Sequence, residues 1–231
     1  MIPLGDASRR PLRIPTVTIL IIVLNAAVFV MELIGGDDFI LRWSLVPADI
    51  IAGRHLETIL TSMFMHEGWE HILGNMVFFW AFGPEIEDSM GSGRYLVFYL
   101  LGGLAATFAQ IIVDPTSTVP NLGASGAIAA VMGAFIVTYP RDQIRTVVIF
   151  DRFTRVTFIP AIIMVGLWFA TQFFSEIGAL MTTQSGDGVA YMAHIGGFVF
   201  GALTAWLFEN GGRVAEKRSS TWQDDWGNRA W

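Results

Sequence analysis

Three stretches of the chain carry side chains that can do chemistry where packing does not ask for them. Asn121-Leu-Gly-Ala-Ser-Gly-Ala-Ile-Ala-Ala-Val-Met-Gly-Ala-Phe135 sets a serine between glycines at the mouth of an apolar run. Met65-His-Glu-Gly-Trp-Glu-His-Ile-Leu-Gly-Asn75 and Ala193-His-Ile-Gly-Gly-Phe-Val-Phe-Gly201 each place a histidine at or inside a segment hydrophobic enough to cross a membrane. Ionisable groups in such segments are costly and read as functional by default. A serine alone could bond back to the carbonyl one turn earlier and mean nothing more. Three such sites in one chain ask for one explanation.

That explanation is acyl transfer. A serine hydroxyl is a poor nucleophile until a base takes its proton, and a neutral histidine is the usual partner. Ser125 and His194 are the pair the sequence offers, and both are expected at similar depth near the outer face. No acid is placed to orient His194: Asp114, Glu176 and Asp187 lie in or near outer loops. The economical arrangement is therefore a dyad. Negative charge developing on the carbonyl oxygen needs donors. His71 and Asn75, four apart and hence on one helical face, supply side-chain N–H groups, and the amide of Ser125 at a helix start can join them. Without the serine motif, Asn75 would read as an interhelical packing bond. A zinc site is the rival chemistry for His66, Glu67, Glu70 and His71. The H-E-x-x-H pattern needs the second histidine four residues on, but that position is Glu70, and His71 lies about 140° around the helix from His66. The reversed pattern misses by one residue as well, so neither a metal nor a cofactor is expected.

The elements holding these residues are membrane spans. The 231 residues are 53% hydrophobic and 15% charged, with a mean hydropathy of +0.54, far from an average soluble domain. With no cysteine, disulfide frameworks and thiolate chemistry are excluded. The net charge of -6 is spread over loops and the tail, and nothing implies nucleic acid. Six stretches reach or approach the roughly 20 residues a crossing helix needs: about 15–34, 69–86, 94–113, 123–140, 157–177 and 189–208. Arg9, Arg10 and Arg13 precede the first, but that run is longer than a signal-peptide core, so it reads as a retained helix. With the N-terminus in the cytoplasm, twelve of the 14 Lys and Arg residues fall on that side and only Arg42 and Arg54 outside, which satisfies the positive-inside rule. Both termini are expected to be cytoplasmic.

The connection from about Gly35 to Gly68 is long yet apolar, and short helices in the outer interface are expected there. Glu85, Glu87 and Asp88 are expected in solvent, and Gln110 in interfacial water. Small residues at 123, 126, 127, 130, 133 and 134 place the fourth span inside the bundle, where His194, Gly197 and Gly201 of the sixth can meet it at short range. The fifth span is bulky and reads as lipid-facing. Residues 1–14 form a cytoplasmic segment, 15–208 the catalytic domain, and 209–231 a polar tail, flexible or interfacial, with Trp222, Trp226 and Trp231.

Carrying these motifs in this order, the chain resembles the rhomboid family of intramembrane serine proteases over about residues 15–208. The resemblance implies an all-α six-helix bundle with an interfacial first loop. In it Ser125 is nucleophile, His194 general base, and His71, Asn75 and the Ser125 amide the oxyanion hole. It implies that His66 is structural, that Gly197 and Gly201 seat the sixth helix on the fourth, and that Gly123 and Gly126 belong to the serine motif. Substrates would be single-span membrane proteins cleaved near the outer face of the bilayer, in a bacterial plasma membrane. Two positions depart from the family pattern. Ala129 stands where an aromatic residue often stacks on the histidine, and Glu57-Thr58 stand where Trp-Arg often anchors the first loop. A catalytically silent rhomboid-like protein that binds membrane clients is the alternative, and it would be expected to lack the serine or the histidine. A small transporter would call for inverted repeats that the sequence does not contain.

Overall fold

In a computed structural model, residues 1–9, 11–150, 153–170 and 191–214 are described. The first long helix, α1 (Thr16–Trp43), contains a break at Gly36, whose φ of 64° lies in the left-handed region. The break falls just past residue 34, the expected end of the first span. Thr18, Asn25 and Glu32 recur every seven residues, two turns of helix, and so share a face. That face is the buried one, with Val17, Ile21 and Phe29 beside it, while Leu20, Val23, Leu24, Val30 and Leu33 point outward. A helix that is polar inside and apolar outside is built for lipid, the inverse of a soluble amphipathic helix.

The first loop holds the short helices expected of it, α2 (Pro47–Ile51) and α3 (Thr58–Thr61), followed by a 3-10 turn at Ser62–Phe64. Arg42 donates to Glu57 at 2.9 Å, so Glu57 ties the loop to the C-terminal end of α1. The following helices are α4 (Trp69–Met90), α5 (Ser92–Val113), α6 (Ser125–Thr138), α7 (Ala161–Ala170) and α8 (Tyr191–Phe208). Among the described residues three helices are long and apolar enough to cross a membrane: α1, α5 and α8. The fold is mostly helical and membrane-embedded. The last third of the expected fifth span (171–177), the loop at 182–188, the tail from 215, and Arg10, Arg152, Lys217, Arg218 and Arg229 lie outside the described residues.

Two expectations are overturned. Glu85, Glu87 and Asp88 are not in solvent; they are 3%, 2% and 4% exposed. The first turn of a helix has unpaired N–H groups, and Pro15 gives α1 no side-chain cap. Glu87 of α4 supplies one from outside, accepting from the amides of Val17 (2.9 Å) and Thr18 (2.8 Å) and from the hydroxyls of Thr18 (2.8 Å) and Ser92 (2.7 Å). Asp88 accepts from the Leu12 amide at 2.8 Å.

The chain is also not all-α. Strands β1 (Ile2–Asp6), β2 (Gln143–Phe150) and β3 (Phe153–Pro160) form an antiparallel sheet in the order β1-β2-β3. The expected fifth span therefore begins late, at Ala161, because the β-branched residues before Pro160 pair with β2. Ile144 and Thr146 face the core while Gln143 and Arg145 face out, the period of two that a half-buried strand requires. Finally, the tail is fastened at its start: Thr138 Oγ1 donates to Glu209 at 2.5 Å, and the Asn210 amide to the Ser89 carbonyl at 3.0 Å.

Candidate active site

Ser125 is the first residue of α6, and the loop before it is pinned at several points. Leu45 and Asn121 exchange backbone hydrogen bonds of 3.0 and 2.7 Å, and the Gly123 amide donates to the Ser62 carbonyl at 2.8 Å. The first loop thus fixes the chain entering the serine helix. Gly123 has φ 133°, in the region that favours glycine. A Cβ there would also stand 2.9 Å from His71 Nε2 and 3.4 Å from Ser125 Oγ. These two atoms therefore flank one point and are no more than about 6.3 Å apart.

α8 lies backbone to backbone on α6. A Cβ on Gly197 would overlap the Gly126 carbonyl, and one on Gly201 the Ala130 carbonyl. A Cβ on Gly126 would likewise come 2.5 Å from the Ala106 methyl of α5, which also lies 3.4 Å from where a Cβ on Gly197 would stand. Only small residues permit this separation, and its result is that His194 Nε2 lies 2.7 Å from Ser125 Oγ. Gln110 is not merely in interfacial water, since its Oε1 accepts from the Ala193 amide at 3.3 Å, beside the histidine. Trp168 of α7 packs against the His194 ring at 5.5 Å between centroids, and Tyr191 at 6.5 Å. Aromatic contact thus reaches the histidine from elements other than α6, where Ala129 cannot provide it.

Just before α4, the Glu67 amide points at Nδ1 of His71 on that helix at 3.4 Å. An N–H donor facing Nδ1 assigns the ring proton to Nε2, the atom turned toward Gly123 and Ser125. Asn75 Nδ2 is buried with no hydrogen-bond partner among the described residues. His66 is fully buried, its amide donating to Glu32 Oε1 at 2.8 Å and its ring set edge-on to His71 at 5.1 Å. Burial first, then the neighbouring His71, pushes its pKa down to about 3, so it stays neutral. Ser125, His194, His71 and Asn75 all line one cavity of about 1320 Å³, together with Trp168.

The predicted site residues are therefore brought together, with His66 and the glycines behind them. Sequence reasoning missed Trp168, which nothing distinguishes among the bulky residues of its helix. It also missed Glu32, although a carboxylate inside an apolar run was signal enough.

Residues 53–210 match the Rhomboid domain family. The chain is 29% identical over 210 residues to RHOMBOID-like protein 12, mitochondrial, of Arabidopsis thaliana, covering 84% of this chain and 58% of that protein. It is 32% identical over 126 residues to Rhomboid protease GluP of Bacillus subtilis (53% and 24%). To Rhomboid protease GlpG of Yersinia enterocolitica it is 25% identical over 202 residues (86% and 65%). The chain spans less than two thirds of each of these relatives. They include a mitochondrial protein beside bacterial ones.

Proposed function

Because the chain belongs to the rhomboid family, we propose that it is an intramembrane serine endopeptidase working through a Ser125–His194 dyad. The observation that carries this reading is the 2.7 Å contact between Ser125 Oγ and His194 Nε2 at the wall of a cavity large enough for a peptide segment. His194 Nε2 takes the hydroxyl proton as Ser125 Oγ bonds to the substrate carbonyl carbon. The oxygen of that carbonyl becomes an oxyanion facing His71 Nε2–H, Asn75 Nδ2–H and the Ser125 amide. His194 then gives its proton to the leaving amine as the C–N bond breaks, which leaves an acyl-serine. Water attacks that ester, losing a proton to His194, and Ser125 Oγ departs with it.

Substrates are single-span membrane proteins. A peptide bond inside a lipid-buried helix is already hydrogen-bonded and must be unwound before attack, so small or helix-breaking residues near the bond favour cleavage. The domain is residues 15–208, a six-span bundle with both termini in the cytoplasm. The described Arg9, Arg13, Arg94, Arg141, Arg145, Arg155 and Arg213 belong to the sheet end, and Arg42 and Arg54 to the serine end, the asymmetry that the positive-inside rule asks for.

Labelling with a fluorophosphonate, which phosphonylates activated serines, tests the reading. Wild type labels once, and Ser125→Ala and His194→Ala do not. Equal labelling of all three would sink the dyad.

A further inference from the structure

The sheet has a face that the protease reading does not use. Directly paired residues share a face of a sheet, and β2 and β3 pair Arg145 with Phe158, Val147 with Val156 and Ile149 with Thr154, while Ile2 of β1 lies opposite Val147. These residues form one face, and Ile144, Thr146, Thr157 and Ile159 the other. The second face is the inner one: Ile144 and Thr146 are fully buried and Ile159 packs on the core. The first is open, with Ile149 58%, Val156 52% and Phe158 57% exposed. An apolar patch of this kind outside any span needs a cover.

Two observations identify the cover. β3 runs into α7 at Pro160–Ala161 with no linker. At about 3.3 Å per strand residue, Phe158 is about 10 Å from the start of α7. The outward side of α7 is itself apolar, through Ile162, Ile163 and Leu167, so the exposed sheet face continues the lipid-facing surface of that helix. The patch is also flanked by arginines. Arg141 and Arg145 are exposed and form no ion pair among the described residues, and Arg145 lies on the patch's own face opposite Phe158. Apolar side chains beside unpaired arginines are what an anionic lipid surface binds.

We propose that the outer face of the β2–β3 sheet docks on the anionic lipid leaflet at the end of the bundle opposite Ser125. Ile149, Val156 and Phe158 enter the headgroup and acyl boundary, and Arg145, paired with Phe158 on the same face, meets lipid phosphates.

The chain contains no cysteine, so Val156→Cys gives a single site for an environment-sensitive fluorophore. The labelled full-length protein is reconstituted in nanodiscs of phosphatidylcholine alone and of phosphatidylcholine with phosphatidylglycerol. Lipids brominated near the top of the acyl chain serve as quencher. The proposal predicts blue-shifted emission, quenched by the brominated lipid and more strongly so with phosphatidylglycerol. Adding Arg145→Gln should lower the docking equilibrium in the anionic discs about fivefold. Water-like emission with no quenching in either disc would overturn it. So would an apolar environment unquenched by lipid that disappears when residues 215–231 are removed, since the tail would then be the cover. Quenching relieved by raising protein density would assign the face to a second copy and likewise reject the lipid.

Discussion

Replacing Glu87 by alanine removes the cap that α4 gives to α1, and the structure sets the size of the effect. The carboxylate accepts four hydrogen bonds and is 2% exposed. Without it the Val17 and Thr18 amides remain buried at a helix start. An unsatisfied buried donor costs about 1–3 kcal/mol, whereas the two hydroxyls can turn elsewhere. Against this stands the recovered cost of burying the carboxylate itself, so the net loss is about 2–5 kcal/mol. For a chain of this size that lowers the melting temperature by about 5–15 °C. Glu87→Gln falls between, because its carbonyl still accepts while its NH2 faces donors. Thr18→Val deletes one hydroxyl bond and costs about 1 kcal/mol. The assay is thermal unfolding of the detergent-solubilised protein, with cleavage measured well below the transition. Cleavage there should be unchanged, since Glu87 is sixteen residues from His71, about 24 Å along α4. A melting shift for Glu87→Ala no larger than that of an ordinary surface substitution, about 0.5 kcal/mol, would refute the capping argument.

Other consequences are equally specific. Gly201→Ala drives a methyl into the Ala130 carbonyl; overpacking by about 1–3 kcal/mol parts His194 from Ser125, and cleavage should fall about 100-fold. Gly93→Ala, which meets nothing within 4 Å, should change neither stability nor cleavage by more than about 1 kcal/mol. Burial and then the Asp142 carboxylate raise Asp6 from 3.8 to about 8. The folded state therefore holds the proton more tightly than the unfolded chain, and this group's contribution falls as pH climbs from about 4 to about 8. Asp6→Asn, which still accepts from the Ser8 amide, should gain melting temperature over wild type progressively across that window; a pH-independent difference would contradict this. Asp37, Glu67 and Glu70 line the cavity, and no lysine or arginine lines it among the described residues. A substrate with lysine just outward of the cleaved bond should be cut about fivefold faster at low salt than one with glutamate, and the difference should fade as salt rises.

The helices that cross were legible because run length and breakers are local: Gly36 ends the first run, and Asp114-Pro115 the run of α5. The candidate site was legible for a related reason, since a serine and histidines in apolar surroundings stand out one at a time and share a face by spacing alone. What the sequence hid was pairing. Glu87 and Asp88 look like loop acids until α1 is set beside them, and hydropathy cannot say that a helix start seventy residues earlier needs their oxygens. The sheet was hidden in the same way. Ile2–Asp6 is too short to announce a strand, and Thr154–Ile159 reads as the start of an apolar helix unless its pairing with Ile144–Ile149 is known. Trp168 and Gln110 acquire their roles only from the position of α8.

The central claim is tested most directly by cleavage of a single-span substrate with a Gly/Ala-rich outer half, by purified protein in liposomes, for wild type, Ser125→Ala and His194→Ala. The account predicts one cut near the outer face by wild type and loss of at least about 1000-fold in both variants, which unfold at the wild-type temperature. Undiminished cleavage by either variant, or intact capture of the substrate by wild type without any cut, would contradict it.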